Sequence, residues 1–126
     1  MSAQGRSIAE QQAADFVAPA QGQISVLSLA ANTASAAQDT GIDGSAGRRS
    51  AFVTIGANET FFVLFDATAS MAAPDPSATT GTGRCMGPFA ANAPVSLRVD
   101  VSRRYFRVIS ASAVVVRWYI SSGAQE

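Results

Sequence analysis

The sequence contains no histidine and no lysine, and only one cysteine and one tryptophan in 126 residues. Each shortage removes a class of chemistry. Without histidine the chain lacks the commonest general base near neutral pH and the commonest metal ligand. A Ser-His or Cys-His catalytic pair is excluded outright. Cys85 stands alone, so no disulfide can form within the chain and the fold does not depend on an oxidising compartment. With no histidine to activate its thiol, Cys85 reads as a small, half-buried neighbour of Met86 and not as a nucleophile. Long hydrophobic runs are also missing. The longest strongly apolar stretch is Phe61 to Phe65, far too short to cross a bilayer. The opening MSAQGRSIAEQQAADF has no apolar signal-peptide core. The expectation is therefore no membrane partner, and a protein made in a cytoplasm and kept or assembled there.

Charge of one sign is lacking too. Nine arginines balance nine acids, for a formal net charge of zero. Sequence-independent nucleic-acid binding draws on a positive excess, so nucleic acid is not an expected partner. Zero net charge also removes long-range repulsion between copies and suits dense packing. That every cation is arginine fits either GC-rich coding or interface use of the planar guanidinium, and the abundant alanine favours the first. Length and a hydrophobic content of 48% argue for one globular domain with a real core.

What is present is alternation. In PVSLRVDVSRRYFRVISASAVVVRWYISSG, from Pro94 to Gly123, three short runs alternate apolar and polar residues. Leu97, Val99 and Val101 share one parity, as do Phe106 and Val108, and as do Val114, Val116, Trp118 and Ile120. Side chains alternate across a strand, so each run buries one face and wets the other. These runs predict an antiparallel meander. A last hairpin turning at Ser110–Ser112 would set Phe106 opposite Val116 and Val108 opposite Val114, and would keep Arg107 from facing Arg117.

Upstream, Gln23–Leu29, Arg49–Ile55 and Thr60–Ala67 read as strands, with a turn at Gly56–Glu59 and a short edge strand at Arg84–Met86. In Thr60–Ala67 both parities are largely apolar: Phe61, Val63 and Phe65 on one, Phe62 and Leu64 on the other. The pattern predicts a strand covered on both sides, by the core and by a subunit interface. Asp39, Gly41, Asp43 and Gly44 carry turn chemistry, and their spacing does not match a calcium loop. Ala72–Gly83 is a long Pro/Gly/Thr loop of the length associated with function or mobility, and Pro88–Pro94 reads as a turn. At the start, Ser7 and Glu10 form a capping box, predicting a short helix over Ile8–Val17 that Pro19 stops. Its apolar side, with Ile8 and Phe16, is too poor to hold it alone. Residues 1–22 therefore read as an arm, either frayed or ordered on docking through Ile8, Phe16 and Val17, and residues 23–126 as one β domain. About seven short strands predict an all-β antiparallel sandwich or jelly roll.

Catalytic constellations are scarce. Asp66 and Asp100 are the only acids in predicted strands, both at strand ends, where solvation is the ordinary role. Gly81-Thr82-Gly83-Arg84 lacks the lysine and the following helix of a phosphate loop. The reading is a non-enzyme with no cofactor and no metal. Arg98, Arg103, Arg104, Arg107 and Arg117, with Tyr105 and Tyr119, can form a basic aromatic face for single-stranded nucleic acid or for an acidic protein patch. Net neutrality favours the protein partner, and simple solubilisation is the plain alternative.

The order of an Ala/Gly/Thr-rich early part, RRSAFVTIGANETFFVLFDATAS, a Pro/Thr loop and PFAANAPVSLRVDVSRRYFRVISASAVVVRWYISSG resembles the small β-sandwich virion proteins of tailed bacteriophages, capsid decoration (cement) proteins above all. The resemblance covers roughly residues 24 to 123. It implies a capsid-surface protein assembled in the host cytoplasm, commonly a homotrimer, seated where major capsid protein subunits meet. On that reading Phe61, Val63, Phe65, Tyr105, Arg107, Arg117 and Tyr119 are the expected self-association or partner residues. The competing expectation is a tail or fibre module that binds a host surface ligand.

Overall fold

The computed structural model describes residues 24–42 and 50–121. The expected N-terminal helix, the arm residues Ile8, Phe16 and Val17, and the turn residues Asp43 and Gly44 lie outside the described residues. Within them the chain forms eight strands: β1 (Ser25–Leu29), β2 (Gln38–Asp39), β3 (Ser50–Ala57), β4 (Phe61–Asp66), β5 (Met86–Phe89), β6 (Val95–Asp100), β7 (Tyr105–Ile109) and β8 (Val114–Ser121). A 3-10 turn, Val101–Arg103, joins β6 to β7. The first sheet has the order β1-β8-β3-β6 and the second β2-β7-β4-β5, with antiparallel pairing throughout. The all-β expectation holds in this form: two antiparallel sheets in a sandwich-like arrangement around one core. The pairings nest, β1 with β8, β2 with β7, β3 with β6 and β4 with β5, as if one long hairpin had been rolled over on itself.

Alternation decides which face each strand buries. In β3, Ala51, Val53, Ile55 and Ala57 are buried and Phe52, Thr54 and Gly56 point outward, half-buried. In β7 and β8 the inward residues are Phe106 and Val108, then Val114, Val116 and Trp118, as their parity predicts. Full burial of one such Val, Ile or Phe side chain stabilises the fold by about 1.5–3 kcal/mol. Phe106 of the second sheet meets Trp118 of the first edge-to-face, ring centroids 4.9 Å apart. That contact ties the sheets together and adds about 0.5–1.5 kcal/mol beyond area burial.

The expected C-terminal meander is not formed. β6 and β8 belong to the first sheet and β7 to the second. Phe106 pairs with Gln38 and Phe65, while Val116 pairs with Leu27 and Ala57, so the Phe106–Val116 hairpin register is incorrect. Buried Ser110 is the reason. Its hydroxyl donates to the Thr60 carbonyl at 2.7 Å, and its carbonyl accepts the Asn32 N–H at 2.7 Å. The chain is pinned there as a corner, and β8 crosses to the opposite sheet.

Val101 also departs from its parity. Asp100 accepts the Ser102 N–H at 3.0 Å and the Ser102 hydroxyl at 2.6 Å, which starts the 3-10 turn and leaves Val101 48% exposed. The turn expected at Gly56–Glu59 starts later, because β3 runs on to Ala57. β5 covers Met86–Phe89, so Pro88 and Phe89 belong to a strand and not to a turn. Phe89 lies 5.3 Å from the Phe61 ring.

The face assignment on β4 needs correction. Phe61 and Val63 are fully buried in the core, and half-buried Phe65 packs on Phe106 at 5.5 Å between ring centroids. None of the three presents an open surface to a partner. The outward parity is Phe62 and Leu64, both half-buried. On this outer face Arg107, opposite Leu64, reaches the carbonyl of Met71 at 3.2 Å, and Met71 is itself buried outside the main core cluster. The chain after β4 thus lies over the second sheet. The core covers the inward side of β4, and on the outward side Arg107 ties this loop to the sheet beside Leu64. The loop is stitched by Asp75, whose N–H donates to the Gly83 carbonyl at 2.7 Å and whose carboxylate accepts the Ser77 hydroxyl at 2.7 Å.

Candidate functional site

Of the seven residues expected on one basic aromatic face, the four also expected at a partner interface divide between the two sides of the sandwich. Tyr105 and Arg107 stand on the outer face of the second sheet. Arg117 and Tyr119 stand on the outer face of the first. A strand's parity names its outward residues, but only the non-local pairing says which outside they reach.

On the second sheet the cations serve the fold. Arg107 donates through Nε to the Ser35 carbonyl at 2.7 Å and through Nη1 to the Met71 carbonyl, holding two loops on the sheet. Arg104 stacks over Tyr105 at 5.3 Å and pairs with Asp39. Asp39 also accepts the Gly41 N–H at 2.8 Å, and Gly41 has φ +78°, the left-handed conformation that suits glycine, so the turn chemistry expected here is present.

The first sheet is different. Its outer face carries Phe52 with Arg98 above it at 5.7 Å, and then a groove of about 380 Å³. Thr54 and Gly56 of β3 form the floor, since Gly56 has no side chain. Arg117 and Tyr119 of β8 stand opposite these two residues and form one wall, while Pro94 closes the other. A Cβ on Gly56 would come within 3.1 Å of Pro94 Cγ, so the glycine sets the width there. Asn92 has φ +57° and donates its N–H to the Ala57 carbonyl at 2.8 Å, fastening the loop before β6 to the end of β3. Asn58 accepts the Val115 N–H at 2.9 Å through Oδ1. Ile24, 47% exposed, lines the end of the groove at the start of β1. The lining is mostly apolar. Among the described residues Arg117 and the Tyr119 hydroxyl have no hydrogen-bond or ion-pair partner.

Sequence reasoning found Arg117 and Tyr119 and missed Ile24, Gly56, Asn58, Asn92 and Pro94. Gly56 to Asn58 and Asn92 to Pro94 both carry turn signals, and nothing local says that the two turns abut. Of the acids weighed for catalysis, Asp66 and Asp100 lie on different sheets. Asp66 accepts the Ala67 N–H at 2.6 Å, and the Asp100 carboxyl is held below its ordinary pKa by the Ser102 hydroxyl. Burial pushes the half-buried Cys85 thiol up, the opposite of what a thiolate nucleophile needs. Among the described residues no group of three His, Cys, Asp or Glu side chains is placed to hold a metal ion. Compared with known proteins, the chain matches no family model, no curated protein and no solved structure.

Proposed function

We propose that this chain is a structural virion protein that binds and stabilises a bacteriophage capsid shell as a decoration protein. The observation that carries the reading is the groove on the first sheet, where an open arginine and an open tyrosine flank apolar walls on a rigid frame. Arginine and tyrosine are the residue types enriched at the centres of protein interfaces. The nested pairing is the wiring of a jelly roll, a fold used by viral capsid and lectin domains. The resemblance of residues 24 to 123 to phage cement proteins points the same way. On this reading the partner is the major capsid protein, contacted through Arg117 and Tyr119, and a homotrimer spans the seam between its subunits. A protein that binds only the assembled shell stabilises it by mass action. Cryo-electron microscopy of particles from a lysate carrying this gene tests the reading. Ordered density at threefold or quasi-threefold positions is expected, and shells without the chain would reject it.

A tail or fibre module that binds a host glycan is the second reading, favoured by the groove's size. A volume of about 380 Å³ falls within the range of small-ligand sites, and the Tyr119 ring offers a stacking surface. A glycan array with the purified chain decides this, provided that any signal is lost in Tyr119→Ala.

A further inference from the structure

We infer that the outer edge of β1 pairs antiparallel with β1 of a second copy of this chain, joining two first sheets into one. The ground for this is a contrast among the strands at the sheet edges, β1 and β6 in the first sheet and β2 and β5 in the second. An edge presents a row of backbone N–H and C=O groups to any other strand, and proteins blunt it with short length, proline, bulges or charge. β2, β5 and β6 are blunted in these ways. β2 has two residues, β5 contains Pro88 and pairs with β4 through a register shift, and β6 carries Arg98 and Asp100. β1, Ser25-Val26-Leu27-Ser28-Leu29, has no charge and no proline, and its register with β8 is unbroken. Val26 is 55% exposed, and among the described residues no strand lies on the outer side of β1.

The strand complements itself. Antiparallel pairing about Leu27 sets Leu27 against Leu27, Ser25 against Leu29 and Val26 against Ser28 of the second copy. Leu27 and Leu29 pack on the core yet stay half-buried, and a mate strand closes over both. Val26 and Ser28 are exposed on the outer face, so each gains a cross-strand neighbour there. Copies with zero net charge do not repel one another at long range. The contact is two-fold symmetric, with the same patch used on both chains. If the chain seats as a trimer on a shell, this contact links neighbouring trimers rather than the chains of one. It also sets two Arg117/Tyr119 grooves on one continuous outer face, where a surface of repeated sites engages both at once. That last consequence rests on the shell reading, whereas the pairing itself does not. One strand edge is a small contact beside those of stable complexes, so the association is concentration-dependent.

The test uses the full isolated chain, so its result stands whether or not a shell is bound. Light scattering across a concentration series should show association. Ser28→Lys adds a charge at an exposed edge position and should weaken that association about tenfold, with the melting curve unchanged. Two further variants, Val26→Cys and Ser28→Cys, each with Cys85→Ser, fix the register under mild oxidation. Directly opposed residues have Cα atoms about 4.5–5.5 Å apart, within disulfide reach. Like residues of the two copies sit on the diagonal at about 7–8 Å, at or beyond that reach. A mixture of the two variants should therefore form a covalent dimer of one chain of each kind, several-fold faster than either variant alone. A chain that stays monomeric throughout the series would overturn the proposal. So would association indifferent to Ser28→Lys, or a mixture that links no faster than the single variants, since chance collision then explains the product.

Discussion

Arg104 and Asp39 meet side by side where β2 pairs with β7: Nε donates to Oδ1 at 2.9 Å and Nη2 to Oδ2 at 3.1 Å. The Arg104 hydrogen bonds hold the Asp39 carboxyl below its ordinary pKa, helped by the Gly41 N–H and opposed by burial. A carboxyl depressed in the folded state contributes stability that is fully present above its unfolded pKa of about 4, and loses it as pH falls through the folded value. Both side chains remain partly in water, so solvent screens the pair and its contribution is about 0.5–1 kcal/mol. Asp39→Asn should lower the unfolding free energy by about that amount at neutral pH. The difference from the parent chain should shrink as the pH falls below about 4 and vanish in strong acid. Urea denaturation of both proteins at the two pH values checks the sign, and an undiminished gap in acid would show that Asp39 acts by another route.

Gly87 lies in the edge strand β5 at φ +131°. A Cβ there would sit 2.9 Å from both the Phe61 carbonyl oxygen and Phe62 Cδ2. The backbone conformation alone costs a residue with a side chain about 1–3 kcal/mol, and the contact with a core strand adds to it. Gly87→Ala should therefore destabilise by about 2–4 kcal/mol. Gly81 has φ +92° with open space around its Cβ position, so Gly81→Ala should cost less. Thermal denaturation of the two variants side by side tests the ranking.

Burial was the legible part of this fold, and partnership was not. The alternation in Phe106–Val108 and Val114–Ile120 names the inward side chains because a strand's period is two whatever it pairs with. The same residues carry no mark of which strand lies beside them. A meander and a nested roll bury identical sets, and the choice rests on Ser110, a buried polar corner that no periodicity reveals. β2 escaped notice because two residues have no period. β4 misled because the residues named as its partner side, Phe61 and Val63, are the ones buried in the core, while the outward parity is Phe62 and Leu64. Of the groove only Arg117 and Tyr119 were legible as site residues. Gly56 and Pro94 were not, since they meet only through the loop that Asn92 fastens to Ala57.

Trp118 is buried, and its indole Nε1 has no hydrogen-bond partner among the described residues. An unpaired buried N–H costs about 1–3 kcal/mol, which offsets part of the packing the larger ring provides. Trp118→Phe removes that donor and keeps an aromatic edge for Phe106. It should change stability by no more than about 1 kcal/mol, whereas Phe106→Ala should cost about 3–5 kcal/mol. Chemical denaturation resolves the two, and a large loss in Trp118→Phe would mean that the indole N–H is satisfied after all.

Arg107 and Arg117 occupy equivalent outward positions on consecutive strands, yet the structure gives them opposite work. Arg107 donates to two backbone carbonyls, those of Ser35 and Met71, and both lose a charged donor if it is removed. Hydrogen bonds to charged groups contribute about 1.5–3 kcal/mol each, so Arg107→Ala should destabilise the isolated chain by about 2 kcal/mol or more. Arg117 is exposed and makes no bond within the described residues. Arg117→Ala should leave stability within about 0.5 kcal/mol. Only the second variant should lose shell or ligand binding while remaining as stable as the parent. Melting curves and a binding assay on the same two preparations separate the roles. If Arg107→Ala melted normally and also bound normally, the tie between the long loop and the second sheet would contribute nothing to the fold.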